Sequence, residues 1–185
     1  LISGTHKVHE EFESWLAEFH EVESALLFNS GYDANLGLFA TVPKKGDTVI
    51  YDKLCHASIR DGLRLSAARS FSFKHNDVED LRGRLVNTSG EVFVVVESVY
   101  SMDGDMAELA AVGRLCEEYG ANLIVDEAHA TGVFGERGEG LCQKLGVECF
   151  ARIHTFGKAV GCHGAVVVGS NVLREYLVNF CRSFI

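Results

Sequence analysis

Strand-length apolar runs at 25–28, 48–51, 70–73, 92–97, 122–126, 152–155 and 165–169 alternate with segments of helical period along most of this chain. Strands separated by helices pair in parallel, because each crossover returns the chain to the same edge of the sheet. Helices are predicted at 33–42, 57–66, 78–85, 109–119 and 172–181, the fourth preceded by the turn Met102-Asp103-Gly104-Asp105. A further amphipathic helix at 6–19 places Val8, Phe12, Trp15, Leu16 and Phe19 on one face, which is expected to pack. The pattern predicts an α/β fold with a mostly parallel central sheet flanked by helices.

No Pro-, Ser- or Gly-rich linker and no repeat divides the 185 residues, so they read as one domain. The formal net charge of −9 and the lack of any basic run longer than Lys44-Lys45 disfavour nucleic acid or an anionic membrane as partner. Six scattered cysteines without a Cys-x-x-Cys pair read as reduced thiols of a cytoplasmic protein. No apolar stretch approaches the roughly 20 residues a membrane helix requires.

Four stretches carry residues suited to chemistry. The run from Leu123 to Gly132 delivers Asp126 and His129 at the carboxyl end of an apolar strand, where open α/β sheets bind ligands. A carboxylate emerging from a buried strand needs a positive or hydrogen-bonding partner, and a capped strand end is the simpler account of it. In the run from His154 to Gly164, Lys158 lies among Gly157, Gly161 and Gly164, which permit close approach of a ligand. Such a lysine becomes a nucleophile if desolvation lowers its pKa, and is otherwise a solvated surface residue. The stretch from Asn29 to Asn35 follows a strand and opens a helix, so free N–H groups near Gly31 and Tyr32 can hold a phosphate, or form an ordinary capped turn. His56, Glu97 and Ser101 fall just after strands and could equally be caps or satisfied buried groups.

Two other classes are suggested by parts of these runs. Asp126-Glu127-Ala128-His129 also spells the acidic box of a helicase-type nucleoside triphosphatase, but no phosphate-loop motif accompanies it: Arg152 stands where the first glycine should be and Ala159 where the hydroxyl should be. Cys149, His154, Cys162 and His163 are zinc-compatible residue types at a spacing that fits no compact finger. No metal site is expected.

Taken in order, Ser3-Gly4-Thr5-His6, the run Phe28 to Asn35, His56-Ala57-Ser58, His75-Asn76-Asp77-Val78, Ser101-Met102-Asp103-Gly104, Asp126-Glu127-Ala128-His129 and Thr155-Phe156-Gly157-Lys158 resemble the α-oxoamine synthases, pyridoxal-phosphate enzymes of aminotransferase-like fold type I. The resemblance covers nearly the whole chain and implies that residues 1–185 are the cofactor-binding major domain, with the family's N-terminal segment and C-terminal small domain absent. It makes Lys158 the lysine that holds the cofactor, Asp126 the partner of the protonated pyridine nitrogen, and His129 a hydrogen-bond partner of the phenolic oxygen. It sets His56 on the ring, Thr155 and the amides of Gly31 and Tyr32 at the phosphate, and Ser101 and Glu97 on the cofactor face.

The implied reaction is an acyl transfer. An amino acid displaces Lys158, which removes the α-proton; the carbanion attacks an acyl thioester, and thiol and carbon dioxide leave. His56 would assist by hydrogen-bonding the reacting carboxylate or carbonyl. The runs from Val125 to Gly132 and from Gly161 to Gly164 are most similar to the biotin-pathway branch, which joins L-alanine to a pimeloyl thioester. Glycine- and serine-using relatives, and a truncated non-catalytic partner subunit, are the alternatives. Amino acid and acyl thioester are the implied substrates, and a homodimer is the implied assembly.

Overall fold

Val92–Glu97 is buried along its whole length, as expected of a strand with helices against both faces. The computed structural model, which describes residues 4–184, builds this strand into the middle of a seven-stranded sheet. Ser3 of the first matched segment, like Ile185, lies outside the described residues.

In chain order the elements are α1 (Lys7–Phe19), β1 (Ser24–Phe28), α2 (Gly31–Thr41), β2 (Thr48–Asp52), α3 (Ala57–Leu65), β3 (Arg69–Phe73), α4 (Val78–Leu85) and β4 (Val92–Glu97). There follow α5 (Leu109–Tyr119), β5 (Asn122–Asp126), α6 (Leu141–Leu145), β6 (Ala151–Thr155), β7 (Ala165–Gly169), α7 (Asn171–Phe180) and a 3₁₀ turn at Arg182–Phe184. The sheet order is β1-β7-β6-β5-β4-β2-β3, with β7 antiparallel to both neighbours and the other pairs parallel. The expected mostly parallel α/β sheet is therefore present.

Side-chain alternation along the strands divides the core. Phe93, Val95, Ile124 and Ile153 pack with Leu38, Ile59 and Leu177 of α2, α3 and α7. Val94, Val96, Leu123 and Val125 pack with Leu81, Val112, Leu115 and Leu141 of α4, α5 and α6.

Two elements differ from expectation. Helix α1 packs through Glu13, Leu16 and Ala17, leaving Val8, Phe12 and Trp15 exposed. The buried Glu13 decides that face, because its carboxylate accepts from the Leu27 amide at 3.0 Å and from Arg174 at 2.8 Å. Helix α6 was not expected, being only five residues long, too short for a period to show.

The topology positions the chemistry. Strands β2, β4, β5 and β6 run parallel, so their carboxyl ends share one edge. From β2 the chain leaves toward β3, then recrosses to β4 and proceeds to β5 and β6. The loops after the adjacent strands β2 and β4 therefore diverge, opening a crevice at that edge.

Candidate active site

Asp126 is the last residue of β5 and is only 4% exposed. Its Oδ1 accepts from the Ala128 amide at 2.9 Å and its Oδ2 from Asn35 Nδ2 at 2.8 Å. The neighbouring Glu127 points the other way. Its carboxylate accepts from Ser98 Oγ at 2.6 Å and from the amides of Leu141 and Cys142 at 3.1 and 2.6 Å, capping α6. The two acids of the Asp126-Glu127-Ala128-His129 run thus split between a cleft and a structural anchor, unlike the acidic box of a triphosphatase.

Lys158 stands in the loop that joins the antiparallel strands β6 and β7. That loop is pinned by Phe156 N donating to Gly164 O at 3.0 Å and Cys162 N donating to Phe156 O at 2.8 Å. Gly161 (φ 69°) and Gly164 (φ 105°) adopt left-handed backbone that other residues avoid, and a Cβ on Gly164 would meet Phe28 O at 3.2 Å. The result is an amine held 2.7 Å from His129 Nε2. Desolvation lowers the Lys158 pKa below the usual lysine value, opposed by the negative charges of Asp126 and Glu97. His129 is lowered by desolvation and then by the Lys158 charge, so its ring accepts from the ammonium.

Glu97 ends β4 in register with Asp126 and is buried. Burial, and then the negative charge of Asp126, raise its pKa to about 8. It accepts from the His56 amide at 2.5 Å, a bond that spans the crevice between β4 and the loop after β2. His56 is exposed and caps α3, its Nδ1 lying 2.7 Å from Ser58 Oγ.

The opposite wall is the start of α2. Ser30 caps it by accepting from the Asp33 amide at 3.0 Å. The Gly31 and Tyr32 amides take no partner among the described residues. Thr155, ending β6, rests directly on Gly31: a Cβ there would come within 2.4 Å of Thr155 Cγ2. Thr155 Oγ1 is buried and has no partner among the described residues. Two free amides and an orphaned hydroxyl at a helix N-terminus make an anion cradle.

The structure thus gathers Lys158, His129, Asp126, Glu97 and His56 at one sheet edge, with Thr155 against the Gly31 end of α2. One expected residue stands apart from these contacts. Ser101 sits exposed on the turn after β4 without a side-chain hydrogen bond to the others, while Tyr32, whose amide belongs to the cradle, donates its hydroxyl to half-buried Asp61. Asn35 was not singled out as a site residue, yet it binds Asp126 directly from the buried face of α2. An asparagine inside an apolar helix four positions after Gly31 was the available signal.

The zinc-compatible set does not assemble among the described residues, since His154 is buried against the His20 ring at a centroid distance of 3.9 Å while Cys162 is exposed. A cavity of about 890 Å3 lies instead beside α1, lined by residues including Phe12, Trp15 and Phe156.

A family model described as aminotransferase class I and II matches residues 1–185. The 8-amino-7-oxononanoate synthase of Emericella nidulans is 46% identical over 202 residues, covering all of this chain and 49% of that protein. Among solved structures, a serine palmitoyltransferase from S. paucimobilis with bound PLP-myriocin aldimine superposes with a TM-score of 0.93 at 39% identity, covering 98% of this chain and 47% of that one. The 8-amino-7-oxononanoate synthase of Francisella tularensis gives 0.86 at 33% identity, covering 98% and 53%. The chain spans about half the length of the curated relatives it matches.

Proposed function

The chain belongs to the class I and II aminotransferase family, within it to the pyridoxal-phosphate α-oxoamine synthases, and from that premise we propose that it condenses L-alanine with a pimeloyl thioester, with loss of carbon dioxide, in biotin biosynthesis. Residues 1–185 are proposed as the cofactor-binding domain of a longer polypeptide, because the relatives are about twice this length.

The residues fit the cofactor. A dianionic phosphate suits the Gly31 and Tyr32 amides and the unpartnered Thr155 hydroxyl, and a protonated ring nitrogen suits the buried carboxylate of Asp126. Pyridoxal phosphate, when bound, supplies an electron sink for a carbanion at the amino acid's α-carbon. Asp126 would hold the proton that keeps the ring cationic. His129 would bond the cofactor's phenolic oxygen, and His56 would cover its ring face. Lys158 would hold the cofactor through its amine and, once displaced by the amino acid, would be free to take the α-proton; its lowered pKa makes the unprotonated form more accessible. Glu97 would line the cofactor face, and Ser101, exposed on the turn after β4, is proposed to join it on the family likeness alone.

The observation that carries this reading is the approach of the Lys158 amine to His129, three residues beyond Asp126, at the strand edge that faces the anion cradle. A homodimer is proposed on the family likeness, and the exposed apolar face of α1 is compatible with further packing. Among the described residues no helix is long and apolar enough to cross a membrane, and the acidic composition supports small-molecule rather than nucleic-acid partners; a cytoplasmic location is proposed on the scattered cysteines, read as reduced thiols.

A second reading rests on the higher structural likeness to serine palmitoyltransferase, which would make L-serine and a long acyl thioester the substrates. The test is direct. Pyridoxal phosphate added to the complete protein should produce an absorbance band at the visible–ultraviolet boundary, absent in Lys158→Ala. Carbon dioxide release from L-alanine with pimeloyl thioester, and not from L-serine or glycine, supports the first reading. Release from serine with palmitoyl thioester supports the second, and no band in the unmodified protein refutes both.

A further inference from the structure

Asp126 ends β5 and His56 caps α3, yet a continuous run of hydrogen bonds joins them. Asn35 Nδ2 lies 2.8 Å from Asp126 Oδ2 and 3.1 Å from Ser58 Oγ, and Ser58 Oγ lies 2.7 Å from His56 Nδ1. Asn35 and Ser58 are 2% and 0% exposed, so the middle of the run is shielded from water. In a buried network of this kind, each group's donors and acceptors must be matched.

That requirement fixes every proton. An ionised carboxylate only accepts, so the amide group of Asn35 facing Asp126 must be NH₂. One of its hydrogens goes to Asp126 and the other to Ser58 Oγ, and Asn35 Oδ1 has no partner among the described residues. Having accepted from Asn35, the Ser58 hydroxyl has its own hydrogen to give, and His56 Nδ1 is there to receive it. The Ser58 amide also donates to the same nitrogen at 3.2 Å. A backbone N–H cannot reverse its role, so a hydrogen on Nδ1 would set N–H against N–H.

We infer that Asn35 and Ser58 are positioning residues that lock the neutral imidazole of His56 in the tautomer carrying its hydrogen on Nε2, linked to Asp126 through this buried run. Nε2 has no hydrogen-bond partner among the described residues, so its N–H is available to an oxygen of the substrate. Resting on the acyl-transfer reading, that donor serves the acyl carbonyl, whose oxygen gains negative charge as the new carbon–carbon bond forms. The same tautomer would be useless as a general base at Nε2. His56 is thereby a hydrogen-bond donor in the reaction, and proton removal is left to Lys158.

The experiment is nitrogen-15 NMR of the complete protein labelled at histidine, with and without pyridoxal phosphate, His56 being assigned by its loss in His56→Gln. The expected spectrum has an unprotonated Nδ1 and a protonated Nε2. Ser58→Ala, keeping only the longer amide bond, should admit a resolvable Nδ1–H population and lower kcat about tenfold with KM for the amino acid changed less than about twofold. Ser58→Thr, which keeps the hydroxyl, should restore both, and Asn35→Ala should reproduce the Ser58→Ala shift. An Nδ1–H signal in the unmodified protein overturns the inference even if every variant fails to fold, and so does an unchanged tautomer and kcat in folded Ser58→Ala. The cofactor-free spectrum separates this inference from the proposed function: absence of a cofactor band sinks the function, while the tautomer remains readable.

Discussion

Replacing Glu127 by glutamine tests whether the acid next to Asp126 is an anchor or a participant in chemistry. The carboxylate accepts three hydrogen bonds, with Oε2 taking Ser98 Oγ and the Leu141 amide and Oε1 taking the Cys142 amide. Glutamine has one oxygen. Whichever way its amide turns, its NH₂ faces either the Leu141 or the Cys142 N–H; the Ser98 hydroxyl can rotate, but a backbone amide cannot. One buried donor loses its acceptor, at a cost of about 1–3 kcal/mol, and the surviving bonds lose the benefit of a charged acceptor. A total near 2–4 kcal/mol is expected, which for a domain of this size lowers Tm by roughly 6–12 °C. Thermal unfolding followed by circular dichroism measures the loss. Pyridoxal phosphate should still produce its absorbance band, since this side chain faces α6 rather than the cleft. A Tm within about 2 °C of the unmodified protein together with a lost band would refute the assignment of Glu127 to the anchor.

Gly31→Ala places a methyl within 2.4 Å of Thr155 Cγ2, so overpacking of about 1–3 kcal/mol is expected, with pyridoxal phosphate affinity at least about tenfold weaker in a spectrophotometric titration. Glu97 has its pKa raised by burial to about 8, so the folded cofactor-free protein holds a proton that the unfolded chain releases above about 4.5. Its contribution therefore makes stability fall as pH rises between those values, and Glu97→Gln should flatten that part of the urea-midpoint profile. His20 shifts the opposite way, lowered to about 3 by burial and then by the Arg152 charge. Its contribution is complete above about 6.5 and is lost as pH falls toward 3, so His20→Phe should reduce acid sensitivity in the same urea series; an unchanged acid limb would refute this.

Legibility followed burial. Strands such as Val92–Glu97 and Asn122–Asp126 lie between helices on both faces, so their sequences are unbroken apolar runs that leave little ambiguity. Helix α1 was legible as a helix but its packing face was not. An apolar stripe through Val8, Phe12 and Trp15 suggests burial, whereas the fold turns inward the one acid, Glu13, that can reach the Leu27 amide and Arg174. A helical period shows which residues share a side; it does not show which side finds partners.

The candidate site was legible for a related reason and incomplete for another. Lys158, Asp126, Glu97 and Thr155 belong to strand ends or the loop beyond them, where a polar residue after an apolar run stands out in sequence. Asn35 and Ser58 lie inside helices, where a small polar residue is at most a weak signal, and only the packing of α2 on α3 and the end of β5 brings them between Asp126 and His56. Asp126 and Glu127 make the same point within two residues. Sequence offers two equivalent acids, while strand geometry sends one to the crevice and the other to the amides of α6. The residues that display chemistry are marked by where strands stop, but those that orient it are defined by contacts between elements distant in the chain. Exchanging Asn35 would therefore disturb the site more than exchanging the more conspicuous Ser101, which forms no such contact.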